Sequence, residues 1–168
     1  MKKKLVQPNK LSVRSGALKG RGVFADIDIE PGEIVEECHF IISGCPEELQ
    51  DIHLKRYVFS MFYNKNLSSK ENKELSFRSQ LATALDDEEF KDKFIEEIKS
   101  FGYENIESIF SSATVLGYGM IYNHSQNYNV EHSIDYEDLC FRFKANKIIK
   151  KDEELFINYG NPNREDLS

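Results

Sequence analysis

Most apolar stretches of this chain are short and alternate with polar residues, which favours small β-sheets. Residues 141–145 alternate between apolar and charged side chains, and residues 155, 157 and 159 place apolar or aromatic side chains on one face of a second strand. The segment Glu-Pro-Gly-Glu at 30–33 is typical of a turn, because Pro presets φ and Gly adopts positive φ freely. Residues 34–42 read as a further strand. The pattern predicts a mainly β domain of several short strands.

A middle segment, about residues 64–112, departs from this pattern and predicts a helical insertion. Residues 64–73 are rich in Ser, Asn and Lys, so we expect a loop there. Beyond residue 86 a set of apolar side chains recurs at helical spacing and is typical of core packing. These are Phe90, Phe94, Ile95, Ile98 and Phe101, followed by Gly102 where a helix end is expected. Residues 53–63 are apolar enough to be buried, although helix and strand are hard to separate there.

The composition bounds the class of protein. The chain has 168 residues, 40% hydrophobic and 30% charged, so residues 1–168 are predicted to form a single domain of the α+β class. A net charge of −7 argues against direct nucleic-acid binding. The chain has no apolar run of about 18 residues, so we expect no membrane span. Secretion is not expected either, because no apolar segment of the signal-peptide type follows the first lysines.

The three cysteines indicate neither disulfides nor a metal site. Cys38, Cys45 and Cys140 cannot all pair within one chain, and their spacing is not that of a zinc site. We therefore expect reduced thiols, a cytoplasmic location and no metal. A host nucleus is the alternative location if the protein is secreted or viral.

Three segments carry side chains that could do chemistry. Residues 16–25 contain three glycines in the spacing Gly-x-x-x-Gly-x-Gly, which lets a backbone approach a ligand but alone is better read as a tight turn. Asn123, His124 and Ser125 offer an amide, an imidazole and a hydroxyl, and His124 alone is better read as structural. A Ser–His hydrolase is a weak alternative, because neighbours on an extended chain point to opposite sides. Tyr159 alone would be expected to bond a carbonyl.

Together, and in this order, the three segments resemble the SET-domain protein-lysine methyltransferases. The similarity is greatest to the minimal viral enzymes of this family, whose Gly-Glu-x-Val-Glu-Glu-Cys is matched by residues 32–38 and whose Leu-Gly-x-Gly-x-Ile-x-Asn-His-Ser is matched by 116–125. The resemblance covers about residues 10–63 and 113–160. It implies a SET-domain β-clip of small sheets with a C-terminal pseudoknot, and residues 64–112 resemble the variable insert of the family.

The resemblance also implies an activity, the transfer of a methyl group from S-adenosylmethionine to a lysine side chain of a protein. A histone-like or ribosomal protein is the implied partner, without direct contact to nucleic acid or membrane, and a homodimer is implied by analogy. The implied cofactor contacts are Lys19, Gly20, Arg21, Asn123, His124 and Tyr159, and the implied catalytic residues are Tyr159 and the channel residue Tyr57. The alternatives are a SET-fold binding module without turnover and an unrelated small β protein.

The chain departs from the family pattern at three places. Asp152 stands where the family usually has Gly, and Asp tolerates such backbone angles better than most residues. Tyr128 replaces a Pro. No Cys follows Gly160, so the zinc-bound segment that closes the lysine channel in many relatives has no counterpart. We expect closure from the insert, the tail, the peptide or a second subunit.

Overall fold

The computed structural model describes residues 4–16, 20–42, 57–84, 87–104 and 109–160. Within these ranges the strands are β1 Leu11–Gly16, β2 Gly20–Ala25, β3 Ile34–Cys38, β4 Phe40–Ile42, β5 Phe59–Phe62, β6 Phe110–Val115, β7 Asn123–His124, β8 Val130–Asp135, β9 Cys140–Ala145 and β10 Glu154–Ile157. The helices are α1 Ser69–Ala84, α2 Glu88–Ser100 and a short 3₁₀ helix Tyr118–Met120. The predicted class, mainly β with a helical insertion, is confirmed.

The chain divides into two compact units. The first contains Met1–Phe40 and Val115–Ser168, and the second contains Ile41–Thr114. The prediction that residues 1–168 form a single domain stays a prediction. Among the described helices, none combines the length and the apolar character that crossing a membrane requires.

The first unit contains a four-stranded sheet in the order β1-β2-β10-β7 and a three-stranded sheet in the order β3-β9-β8. The predicted alternation of residues 141–145 is confirmed, because Phe141, Phe143 and Ala145 on β9 are buried. Leu155 and Ile157 on β10 are buried in the same way. Ile29, directly before the turn at 30–33, is paired with Ile149 through an isolated antiparallel bridge.

Strand β10 lies between two strands that are distant from each other in sequence. It pairs antiparallel with β2, where Leu155 is opposite Val23. It pairs parallel with β7, where Phe156 is opposite Asn123. Asn129 supports this arrangement, since its side-chain amide donates to the Glu154 carbonyl and its Oδ1 accepts the Phe156 N–H. The last strand therefore lies alongside the Asn-His segment, as the resemblance implied.

The second unit contains the sheet β4-β6-β5 and the two long helices. Its core is a cluster of buried apolar side chains. They are Phe62, Leu75, Ala82, Phe94, Ile98 and Ile109. The ambiguous segment 53–63 contributes strand β5, and its residues 53–56 lie outside the described part of the chain.

Helix α2 follows the predicted apolar stripe. Asp87 caps its N-terminus by accepting the Phe90 N–H at 2.9 Å. Phe94 and Ile98 are buried, whereas Phe101 lies just beyond the last helical residue and is 41% exposed. Gly102 has φ of +89°, the left-handed geometry that commonly ends a helix.

Two predictions of local structure were wrong in part. The loop predicted for residues 64–73 ends early, because α1 begins at Ser69. Ser68 and Glu71 form a reciprocal capping box, in which the Glu71 carboxylate accepts the Ser68 N–H at 2.8 Å and the Ser68 hydroxyl accepts the Glu71 N–H at 3.3 Å. The strand predicted for residues 34–42 is divided into β3 and β4, and the His39 carbonyl between them accepts the Leu116 N–H.

Candidate active site

Pairing of β2, β10 and β7 brings three segments of the sequence together in the first unit. Gly20 and Arg21 begin β2, Asn123 and His124 form β7, and Tyr159 follows the end of β10. His124 is opposite Ile157 in the parallel pairing of β7 with β10. Five of the seven predicted site residues therefore lie on three adjacent strands or directly after one of them.

Asn123 holds β2 and β10 together with its side chain. Its amide nitrogen donates to the Arg21 carbonyl at 3.1 Å and to a Glu154 carboxylate oxygen at 2.6 Å. An amide nitrogen carries two hydrogens, so both donors are engaged within the protein. A Cβ at Gly22 would lie 2.2 Å from Glu154 Oε1 and 3.2 Å from Asn123 Nδ2. Glycine at this position thus permits the Asn123–Glu154 contact.

His124 is buried against Tyr159. His124 is only 6% exposed, and its Nδ1 accepts the backbone N–H of Tyr159 at 3.2 Å. The amide nitrogen of the Gln126 side chain lies 3.4 Å from the other ring nitrogen, Nε2. The rings of His124 and Tyr159 have centroids 5.3 Å apart. His124 therefore fixes the backbone that presents Tyr159.

Tyr159 itself is held by its phenol. The hydroxyl is part-buried and donates to the backbone carbonyl of Tyr122 at 2.5 Å. Tyr122 directly precedes Asn123, so the phenol reaches the same segment that supplies the amide and imidazole. The backbone N–H and the side-chain hydroxyl thus anchor Tyr159 at two points.

A buried carboxyl group that the sequence analysis did not single out lies under this segment. Glu36 on β3 is 2% exposed, accepts the Tyr118 N–H at 2.9 Å and contacts the Tyr122 hydroxyl at 3.3 Å. Burial raises the pKa of Glu36, against the opposing effect of the donors around it. A Cβ at Gly117 would lie 2.5 Å from Glu36 Oε1 and 2.6 Å from Cys38 Sγ, so the chain approaches this group closely.

The groups next to Glu36 are held in their neutral forms. Burial and the adjacent Glu36 raise the pKa of the Cys38 thiol far above its usual range. The same two causes raise the pKa of the Tyr122 phenol. Cys38 and Cys140 are free cysteines and both are buried. Cys38 therefore has no thiolate character that would make it a nucleophile.

A sequence signal for Glu36 did exist. Glu36 and Glu37 are consecutive in an otherwise apolar strand, and successive strand residues point to opposite faces. Both prove to be buried, at 2% and 3% exposure. Glu37 is bonded to Arg142 at 2.9 Å. Two adjacent carboxylates in a strand thus indicated that each face would need hydrogen-bond donors.

The remaining two predicted site residues are Lys19 and Tyr57. Lys19 falls outside the described residues, as does Cys45. Tyr57 belongs to the second unit, precedes β5 and is 51% exposed, so its channel role stays a prediction. Asp152 has φ of +69°, in the left-handed region that Asp tolerates better than most residues. Among the described residues no group of three or more His, Cys, Asp or Glu side chains could hold a metal ion.

The family model of the SET domain matches residues 20–160. This chain belongs to the SET domain family. The matched range contains every predicted site residue except Lys19. The finer similarity to the minimal viral enzymes stays a prediction. No curated protein sequence matches the chain.

Solved structures share this SET-domain fold. A Plasmodium falciparum protein proposed to be a histone methyltransferase is 24% identical with a TM-score of 0.53, and the match covers 93% of this chain and 96% of that one. A humanised mutant of polycomb repressive complex 2 from Chaetomium thermophilum, bound to the inhibitor GSK126, is 21% identical with a TM-score of 0.54, covering 94% of this chain and 16% of that chain.

A further structure of the polycomb complex is in an autoinhibited conformation bound to S-adenosylmethionine. It is 20% identical with a TM-score of 0.50, and the match covers 94% of this chain and 16% of that one. This chain thus spans about a sixth of the length of the polycomb chains that it matches. At these identities the likeness shows the fold.

Proposed function

We propose that this protein is an S-adenosylmethionine-dependent protein-lysine N-methyltransferase. The observation that carries the proposal is the meeting of the Gly20–Arg21 backbone, Asn123–His124 and Tyr159 on adjacent strands of a SET domain. One polycomb structure of this fold is bound to S-adenosylmethionine, and the Plasmodium falciparum protein is described as a proposed histone methyltransferase. Both descriptions support the same activity here.

The residues present fit such a cofactor. Gly20 has φ of +76° and is exposed, and no atom of the described residues beyond its two chain neighbours lies within 4 Å of the place where a side chain would begin. A ligand can therefore approach the backbone of Gly20 and Arg21 directly. Because both amide hydrogens of Asn123 are engaged within the protein, Asn123 would contribute its backbone and the position of its neighbours. S-adenosylmethionine, when bound, supplies an activated methyl group on a sulfonium.

The protein's own groups would orient the amine and favour its neutral form. A lysine amine has an ordinary pKa of about 10.4 and must lose its proton before it can attack. A part-buried site next to the Tyr159 and His124 rings disfavours the ammonium form by desolvation. The phenol of Tyr159, fixed on the Tyr122 carbonyl, presents its hydroxyl oxygen at a defined position. Alignment of this kind is the main contribution that a protein makes to a transfer reaction.

The substrate proposed is an exposed basic segment of a protein, either histone-like or ribosomal. The net charge of −7 is complementary to such a segment and would favour the encounter. A homodimer and a cytoplasmic or host-nuclear location remain part of the proposal. The second candidate is a SET-fold binding module that binds cofactor or peptide without turnover, since a fold by itself does not establish an activity.

The proposal is tested by methyl transfer from labelled S-adenosylmethionine to histones and to lysate proteins. Wild-type protein should label a protein on lysine, and Tyr159→Phe should lower the rate by about 100-fold or more, since it removes the hydroxyl that is fixed in the site. Tyr128→Phe is the matched control and should keep the wild-type rate, because Tyr128 lies outside the contacts described for the site.

Calorimetry of S-adenosylmethionine binding separates the alternatives. Cofactor binding without transfer to any protein would favour the binding module. If S-adenosylmethionine does not bind to the folded wild-type protein at all, the proposed function is wrong.

A further inference from the structure

We propose that Glu36 is a positioning residue for Tyr159 and that it acts through Tyr122. The inference rests on the proposed function, because it concerns the orientation of the phenol assigned to the transfer step. It rests on two hydrogen bonds made by different ends of Tyr122. The Tyr122 hydroxyl donates to the buried Glu36 carboxylate, and the Tyr122 backbone carbonyl accepts the Tyr159 hydroxyl.

Glu36 fixes the segment that precedes Asn123. One carboxylate oxygen accepts the Tyr118 N–H at 2.9 Å, at the start of the 3₁₀ helix Tyr118–Met120. The other oxygen lies 3.3 Å from the Tyr122 hydroxyl, just beyond the end of that helix. The helix is closed by the Ile121 N–H, which donates to the Tyr118 carbonyl at 2.7 Å. One buried side chain therefore holds both ends of a five-residue segment.

Tyr122 transmits that constraint to Tyr159. It is 1% exposed, and its ring packs against Phe143 with centroids 4.9 Å apart. Its backbone carbonyl accepts the Tyr159 hydroxyl at 2.5 Å. A buried ring held at its hydroxyl by Glu36 has little freedom to rotate or shift, so the carbonyl on the same residue is held as well. The direction of the Tyr159 hydroxyl follows from the position of that carbonyl.

A carboxylate suits this position better than an amide. The Glu36 carboxyl is surrounded by donors from Tyr118, Gly119, Tyr122 and Cys38. A carboxylate accepts at both oxygens, whereas glutamine accepts at one atom and presents two hydrogens at the other. Glu36→Gln would therefore set an N–H group against one of these donors without changing the size of the side chain.

The role is one of position and not of proton transfer. The Tyr159 hydroxyl bonds the backbone carbonyl of Tyr122 and not the Tyr122 hydroxyl that contacts Glu36. A backbone carbonyl has no proton to pass on. A proton at Tyr159 therefore has no hydrogen-bonded route to Glu36 through this residue.

The first test measures the kinetics of two variants that alter the hydrogen bond between Glu36 and Tyr122 from opposite sides. Glu36→Gln alters the acceptor, and Tyr122→Phe removes the hydroxyl while leaving the Tyr122 carbonyl in place. We expect each to lower kcat by about tenfold, a change of about 1.4 kcal/mol, with the KM for peptide and the Kd for S-adenosylmethionine within twofold of the wild type. The double variant should be no slower than the slower single variant, because both substitutions disrupt the same hydrogen bond between Glu36 and Tyr122.

Glu37→Gln is the matched control for a purely structural effect. Glu37 is the adjacent buried carboxylate, and it bonds Arg142 and the Val6 N–H. Its replacement should lower the melting temperature and leave kcat of the folded protein at the wild-type value. Multiplicative effects of Glu36→Gln and Tyr122→Phe, or an equal loss of kcat in Glu37→Gln, would overturn the proposal.

A second test does not depend on activity. 3-Fluorotyrosine placed at position 159 reports the surroundings of that ring by its ¹⁹F resonance. The resonance should shift in Glu36→Gln and in Tyr122→Phe, and should stay in place in Glu37→Gln. An unchanged resonance in both former variants overturns the proposal. If the Tyr159 resonance shifts as expected but no protein substrate is ever methylated by the wild type, the positional coupling holds and the proposed function is wrong.

Discussion

At the scale of single residues, Gly22 shows how closely the strands of the site approach one another. Its missing Cβ leaves room for the Asn123–Glu154 contact, which lies 2.2 Å from where that Cβ would be. Gly22→Ala should displace the Glu154 carboxylate and lower the free energy of unfolding by about 1–3 kcal/mol. Chemical denaturation measures this loss. Ser15→Ala, at an exposed position on β1, is the control and should change stability by less than about 0.5 kcal/mol. Equal stability of the two variants would contradict the predicted clash.

Also at this scale, the structure separates two kinds of site residue. Asn123 uses both amide hydrogens to join β2 and β10, so its side chain serves the geometry of the site. Tyr159 is anchored by its backbone and its hydroxyl. Both residues could be selected from the sequence by their resemblance to a known motif. Their hydrogen-bond partners could not, because the partners are between 31 and 102 residues away along the chain.

At the scale of elements, the two long helices of the second unit start at side-chain caps. Asp87→Ala should destabilise the protein by about 1 kcal/mol, because the Phe90 N–H loses its acceptor at the start of α2. Asp92→Ala, an exposed change within the same helix, is the matched control. It should leave stability unchanged or slightly higher, since Ala favours helix more than Asp does. Thermal unfolding of both variants measures the difference, and a cost at Asp92 as large as at Asp87 would refute the capping argument.

The two helices also differ in how far their sequences predicted them. The stripe around Phe94 and Ile98 has helical spacing, so α2 followed from the sequence. The polar composition of the first turn of α1 predicts a loop, although Ser68-x-x-Glu71 has the spacing of a capping box. Its buried Asn72 accepts the Asn64 N–H at 2.7 Å, a contact that composition does not reveal.

At the scale of the whole molecule, acidification should destabilise the fold through carboxylates such as Asp135. Partial burial opposes ionisation of Asp135, but the N–H groups of Asp138 and Glu137 and the Arg142 guanidinium outweigh it, so its pKa is lowered. The unfolded chain, with an ordinary Asp pKa of about 3.9, binds this proton more tightly than the folded protein. The stabilisation is therefore complete above about pH 4 and is lost as the pH falls through the lowered native pKa.

Asp135→Asn tests this pH dependence. The variant should be less stable than the wild type at neutral pH, and it should lose less stability than the wild type between about pH 4 and pH 2. Urea denaturation at a series of pH values measures both quantities. The same steepness of loss in variant and wild type would show that Asp135 does not contribute to the acid response.

The sequence by itself determined the features that depend on local spacing. They are the alternating strand at 141–145, the helix around Phe94 and the turn at 30–33, and each follows from the geometry of neighbouring residues. The ordered motifs were also sufficient to place the chain in its family. The strand, the helix and the turn share one physical reason, because each depends on interactions within a few residues of chain.

Only the tertiary structure decided how the site is assembled. The insertion of β10 between β2 and β7 places Tyr159 on the Tyr122 carbonyl and directs Asn123 to Arg21 and Glu154. The burial of Glu36 beneath the 3₁₀ helix joins residues 82 positions apart. A buried carboxylate must find its donors wherever the fold brings them, and alternation along a strand does not specify which distant segment that will be.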